Sequence, residues 1–155
     1  MANGNLKFFM LEELKKDEIV EVPGTDTFKS EDGKPIPFKI RVLETEEINR
    51  IRNAYRTRKM AVDKKSKPII ANGEVVFTTD YDAEGANDKI MSEAFVFPDM
   101  HDKDLMAFYG CYDAAEMPRK LFRKPADYTY ASRMVAQVLG LIDKDDDELI
   151  DDAKN

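Results

Sequence analysis

The residues best equipped for chemistry are few. His101 stands beside Asp99, Asp102 and Asp104, and a His–Asp pair is what a general base or a metal ligand set would use. No second histidine exists to extend it, and the single Cys111 cannot close an intramolecular disulfide. One thiol and one imidazole also fall short of the three or four ligands of a zinc site. No GxSxG, Walker or GxGxxG stretch is present. Near the C-terminus Asp143, Asp145 and Asp147 have the alternate spacing of a calcium loop. Glu148, however, occupies the position that needs glycine, and Lys154 the position that needs a bidentate glutamate. The expectation is a non-enzyme, with no catalytic residue, no cofactor and no metal.

Charge is the stronger signal. The chain carries a net −7, yet residues 50–67 hold eight bases (Arg50, Arg52, Arg56, Arg58, Lys59, Lys64, Lys65, Lys67) against one acid, Asp63. That local +7 leaves the remainder at −14. Clustered cations repel one another, and an anionic partner relieves the repulsion. The partner could be nucleic acid or an acidic protein surface, including the acidic tail of a neighbouring copy; the plain alternative is a solvated helix face. Tyr55 alone interleaves the bases, so the aromatic pattern of RNA readers is missing and nucleic acid is the less favoured partner.

Aromatics supply a second signal. Eight of fifteen lie between Phe95 and Tyr130, accompanied by Met100, Met106 and Met117. Short helices cannot bury them all, so some are expected at an interface, where aromatics and Met are enriched. The partner-binding candidates are therefore Arg52, Arg56, Lys59, Phe97, Met106, Tyr109 and Tyr112.

The elements that must position these residues follow from period and punctuation. Residues 1–25 read as an arm with a short amphipathic helix near Leu6–Leu14, broken at Pro23-Gly24. Thr27–Lys29 and Ile36–Leu43 read as a hairpin turning at Ser30–Gly33. Thr45, followed by Glu46 and Glu47, predicts a helix N-cap, with the helix running to about Val62 on the stripe Ile48, Ile51, Tyr55, Val62. Asn72-Gly73 predicts a type I′ turn in a second hairpin, after which Thr79 or Asp80 caps a helix to about Phe95. Short helices follow at Asp102–Tyr109 and Glu116–Phe122, and a longer one from Pro125 to Gly140 buries Tyr128, Ala131, Val135 and Val138 or Leu139.

The fold class is therefore α+β and predominantly helical, with N-terminal β-hairpins followed by a bundle of short helices. Residues 26–142 form one α-rich domain, and residues 143–155, with seven acids and two lysines, form a solvated, disordered tail. At 155 residues and 43% hydrophobic content the chain can bury a sizeable core. No apolar run approaches the length of a membrane span, and Met1–Lys16 lacks the basic n-region and clean apolar core of a signal peptide.

Taken in order, several segments resemble a known family. They are the Pro35-Ile36-Pro37-Phe38-Lys39-Ile40-Arg41 stretch, the Thr45-Glu46-Glu47 cap, the basic helix, and Phe97-Pro98-Asp99-Met100 leading into Asp102-Lys103-Asp104-Leu105. With Tyr109-Gly110, Leu121-Phe122 and Pro125-Ala126-Asp127-Tyr128, this order resembles the tail assembly chaperones of PBSX-type prophages over about residues 6–142. It departs at Ala126-Asp127, where the family tends to have Gly-Glu. The resemblance implies a non-catalytic phage chaperone that binds the tape measure protein and copies of itself during tail morphogenesis. It implies action in the host bacterial cytoplasm and absence from the mature virion. The competing reading is a nucleic-acid-associated phage or bacterial regulator that uses residues 50–67.

Overall fold

The structure is a computed structural model, and it describes residues 4–143. The expected disordered tail, apart from Asp143, lies outside the described residues.

Alternation in residues 36–42 puts Phe38 and Ile40 on one face, and this segment forms the central strand of the main sheet. β1 (Ile19–Val22) and β2 (Phe38–Arg41) pair antiparallel with Ile19 opposite Arg41 and Val22 opposite Phe38. β7 (Phe95–Phe97) covers the other edge of β2, with an irregularity between Lys39 and Ile40. The partner of β2 thus differs from the expected one. Thr27–Lys29 makes only an isolated bridge, Lys29 to Pro35, around a turn in which the Ser30 N–H donates to the Lys34 carbonyl. β1 lies inside the stretch read as an N-terminal arm. The expected amphipathic helix is instead two short 3-10 turns, Leu6–Phe9 and Glu12–Lys15, with no buried residue.

Glycine explains why residues 23–36 can fold back so tightly. A Cβ on Gly24 would sit 1.9 Å from the Ile36 carbonyl oxygen, which no side chain permits. Two bonds then lock this loop to the last helix: the Tyr130 hydroxyl donates to the Pro23 carbonyl (2.7 Å), and the Thr27 hydroxyl donates to the Asp127 carboxylate (2.5 Å).

α1 (Thr45–Ala54) begins at Thr45 itself, with Glu44 as the flanking residue and no side-chain cap bond, so the expected Thr45 cap is displaced by one. Glu46 and Glu47 sit in the first turn, against the positive end of the helix dipole. Arg41 is held by Glu47 through two N–H···O bonds of 3.2 and 3.3 Å, which tie β2 to α1 and raise the guanidinium pKa further.

The helix stops at Ala54, short of the expected Val62. Its apolar stripe fails after Tyr55, because the next two positions on that face are Arg58 and Lys59. Residues 56–60 turn into β3 (Arg56–Met60), paired antiparallel with β6 (Phe77–Tyr81), a segment rich in Thr and aromatics that suits a strand. Between them lie a loop at 63–67 and the small hairpin of β4 (Ile70–Ala71) and β5 (Glu74–Val75). Asn72 and Gly73 turn that hairpin with φ of 53° and 78°. Residues 56–81 therefore form a β-arm between α1 and α2 (Ala83–Ala94). Every residue of β3 and β6 is exposed. A two-stranded ribbon with nothing buried is marginal on its own. Amides of β3 and β6 are expected to exchange with deuterium at least about a hundredfold faster than those of β2; equal protection would show that the arm is packed.

α2 is capped by Asp82, whose carboxylate accepts from the Gly85 N–H. α3 (Lys103–Tyr109) starts at Asp102 and ends at Gly110 in the left-handed region. A 3-10 turn, Ala114–Glu116, leads into α4 (Met117–Leu121), and α5 (Pro125–Val138) closes the fold with Ala131 and Val135 buried.

The core sits where the sheet meets α2, α4 and α5. Phe38, Phe95 and Phe122 pack as a triangle with centroids 5.5–5.6 Å apart, and Phe28 meets Phe122 edge-on at 6.2 Å. Ile40, Met91, Met100, Met117 and Ala131 fill the rest with no exposed surface. The architecture is α+β, with helices and strands interleaved along the chain rather than hairpins followed by a helical bundle.

Candidate functional site

Polar groups inside the fold are engaged in holding it. Asp88 on α2 accepts from Arg119 Nε on α4 (2.6 Å) and from the Tyr128 hydroxyl on α5 (2.5 Å), while Asn87 donates to Ser132 (3.1 Å). Hydrogen bonding to Asp88 raises the Arg119 pKa; burial, then the bond to Asp88, raises that of the Tyr128 phenol. This cluster joins three helices, and none of its buried side-chain polar atoms lacks a partner. Asp88→Ala is expected to cost about 2 kcal/mol, because Arg119 is half exposed and can resolvate whereas Tyr128 cannot fully do so. Thermal unfolding would register it as a fall of several degrees.

His101 and Cys111 do not form a chemical pair. The imidazole Nε2 lies 3.4 Å from Glu93, and the buried Cys111 thiol points at the Tyr109 carbonyl (3.8 Å), with burial pushing its pKa up. Among the described residues no group of three His, Cys, Asp or Glu side chains is placed to hold a metal ion.

Two surfaces hold most of the residues singled out from the sequence. The first surrounds α3. Leu105 and Met106 turn partly inward against the core, and Tyr109 joins them. Phe108 is 80% exposed and Tyr112 is 97% exposed. On one side a groove of about 650 Å³ runs between α3 and the start of α5, lined by Phe28, Phe108, Tyr109 and Leu121 and rimmed by Arg123 and Lys124. On the other side a shallower groove of about 390 Å³ is lined by Met106, Ala107, Cys111 and Tyr112. Three of the sequence candidates, Met106, Tyr109 and Tyr112, are thus gathered around one short helix. Phe97 lies elsewhere, half exposed on β7 opposite Lys39. Phe108, the large aromatic exposed on this surface, is absent from the candidates drawn from the sequence. Its signal was its place outside the stripe that Leu105, Met106 and Tyr109 turn to the core.

The second surface is the β-arm, where the basic cluster is distributed differently from the expected helix. Arg52 is half-buried on α1, whereas Arg56 and Lys59 lie on β3. Arg56 and Lys59 point to opposite faces, since side chains alternate along a strand. Arg56 and Arg58 share a face with Phe77 and Tyr81, and their guanidinium carbons lie 5.0 Å over the Tyr81 ring and 3.9 Å over the Phe77 ring. Lys59 pairs with Asp80 on the reverse face. Lys64, Lys65 and Lys67 stand at the tip, in a loop organised by Asp63, whose carboxylate accepts from the backbone N–H of Lys65 (2.8 Å) and Lys67 (3.0 Å). Among the described residues no helix is long and apolar enough to cross a membrane.

The whole chain has recognisable relatives. It is 26% identical over 151 residues to the phage-like element PBSX protein XkdN of Bacillus subtilis (strain 168), covering 97% of this chain and 94% of that one. It is 25% identical to the uncharacterized protein YqbN of the same organism, covering 97% and 93%. A crystal structure of YqbN superposes with a TM-score of 0.68 at 20% identity, over 92% of this chain and 100% of that one, which shows a shared fold. The model of the phage XkdN-like tail assembly chaperone proteins matches residues 6–154, and the chain belongs to that family.

Proposed function

We propose that this chaperone works without catalysis, by binding the tape measure protein of its phage tail and further copies of itself while the tail is assembled. The observation that carries the reading is the pair of side chains flanking α3, Phe108 and Tyr112, left 80% and 97% exposed beside two apolar grooves. Large aromatics held in water on and just beyond a packed helix are what an interface buries. A tape measure protein, long and helical with apolar stripes, offers such a surface the i, i+3, i+4 anchors that fit a groove. Arg123 and Lys124 at the rim add steering rather than most of the affinity. Chaperones that coat a long client also need contacts between copies, and a repeated contact of this kind builds rings or helical arrays. The site of action is the host cytoplasm before the tail is complete, and the chaperone leaves before the virion matures.

Binding to a tape measure fragment at low salt and at about 0.3 M, where the Debye length is about 6 Å, tests this. Persistence of binding at the higher salt, with mass rising with concentration in light scattering, is the expected result. A strict monomer that ignores the fragment but binds DNA or RNA with a steep salt slope would replace this reading by the nucleic-acid one.

A further inference from the structure

The β-arm is a built surface whose role the α3 grooves do not absorb. Residues 56–81 carry six bases and three acids, and two of those acids are already engaged: Asp80 by Lys59, and Asp63 by the backbone of its own loop. Lys64, Lys65 and Lys67 have no acidic partner among the described residues, while Arg56 and Arg58 rest on aromatic rings. Beside the cations the arm exposes Met60, Val62, Ile70, Phe77 and Tyr81, each at 42% or more. An occupant must therefore be acidic and must also carry some apolar side chains.

Residues 144–155 have that chemistry. They hold six acids (Asp145, Asp146, Asp147, Glu148, Asp151, Asp152) and two lysines, with Leu149 and Ile150 between the two acidic runs. The spacing sets an apolar pair between charges, as the arm sets Met60 and Phe77 between its arginines and its lysine tip. Leu149 lies six residues beyond Asp143, so the docked run stays within about 20 Å of that residue. Attachment to the same chain also gives the segment an effective concentration of order mM at the arm, above any free acidic partner at ordinary concentrations.

We propose that the acidic segment 144–155 docks on the β-arm of its own chain, with its carboxylates on Lys64, Lys65, Lys67 and the arginine face and Leu149-Ile150 against Met60 and Phe77. This holds whether or not the tape measure protein is the client of the α3 grooves. It also assigns the basic cluster an occupant other than nucleic acid.

Carbodiimide cross-linking of the full chain, run on an equal mixture of ordinary and ¹⁵N-labelled protein, tests it directly. The expected products join Lys64, Lys65 or Lys67 to acids of 145–152, occur within one isotopic species, and fade at about 0.5 M salt, where the Debye length falls to about 4 Å. A second measurement uses the full chain with Asp145→Asn, Asp146→Asn, Asp147→Asn and Asp151→Asn. Tryptic cleavage after Lys64 and Lys65 should quicken about fivefold in that variant at low salt and match the parent at high salt. Cross-links that mix isotopes, that run to Lys120 or Lys124 instead, or that are absent, would overturn the proposal. So would an unchanged cleavage rate in the variant. Tape measure binding by the α3 grooves is read separately and can fail without touching this result.

Discussion

Phe122→Ala is expected to lower the unfolding free energy by about 3–5 kcal/mol. Phe122 is 1% exposed and meets Phe28, Phe38 and Phe95 with its ring, so truncation opens a cavity on three sides at once. The surrounding backbone cannot collapse to fill it, because β2 is pinned between β1 and β7 and the loop before Phe28 is bonded to α5. Against a typical total of about 5–15 kcal/mol, such a loss leaves a marginal or unfolded chain at 37 °C. Urea titration followed by circular dichroism measures it; a loss below about 1 kcal/mol would mean that the four rings are not the centre of the core. Phe38→Leu, which keeps most of the volume, should cost far less.

The second large effect is on binding. Phe108→Ala and Tyr112→Ala leave the fold intact, since both side chains are in solvent, but each is expected to weaken binding to a tape measure fragment roughly 30-fold, about 2 kcal/mol. The double variant should lose more than either single one. Because the two residues sit on opposite sides of α3, a single client helix lying in one groove would make one substitution count and the other not. A client straddling α3 would make both count. Lys34→Ala, on the exposed turn at 30–34, serves as the unaffected comparison. Wild-type affinity in the double variant, with wild-type melting, would remove the α3 surface from the proposed function.

Local chemistry along the chain was enough to place much of the helical part. α3, α5 and the turn at Asn72-Gly73 follow from caps, periodicity and positive-φ residues only a few positions apart, all of which act before any distant contact forms. Met106, Tyr109 and Tyr112 were legible as a group for the same reason, being three positions of one short helix and its exit turn. The end of α1 at Ala54 was missed, because the stripe Ile48, Ile51, Tyr55, Val62 was carried across the charges at 58 and 59 that interrupt it.

What the sequence by itself determined is its α+β character, its lack of a recognisable catalytic motif, and the position of its cations and aromatics along the chain. Tertiary structure decided which strands are neighbours. β2 pairs with β1 and β7, from 16 to 58 residues away in register, and no local signal specifies such partners. The same holds for β3 and β6, whose pairing turns a predicted helix into an arm and sends Arg56 and Lys59 to opposite faces. Whether an aromatic is core or surface was settled in the same way. Phe108 and Phe122 are alike as residues, but Phe122 falls where the sheet, α2 and α5 converge and Phe108 falls on the outer face of a seven-residue helix. Burial is a property of converging elements, so only the assembled fold could distinguish the two.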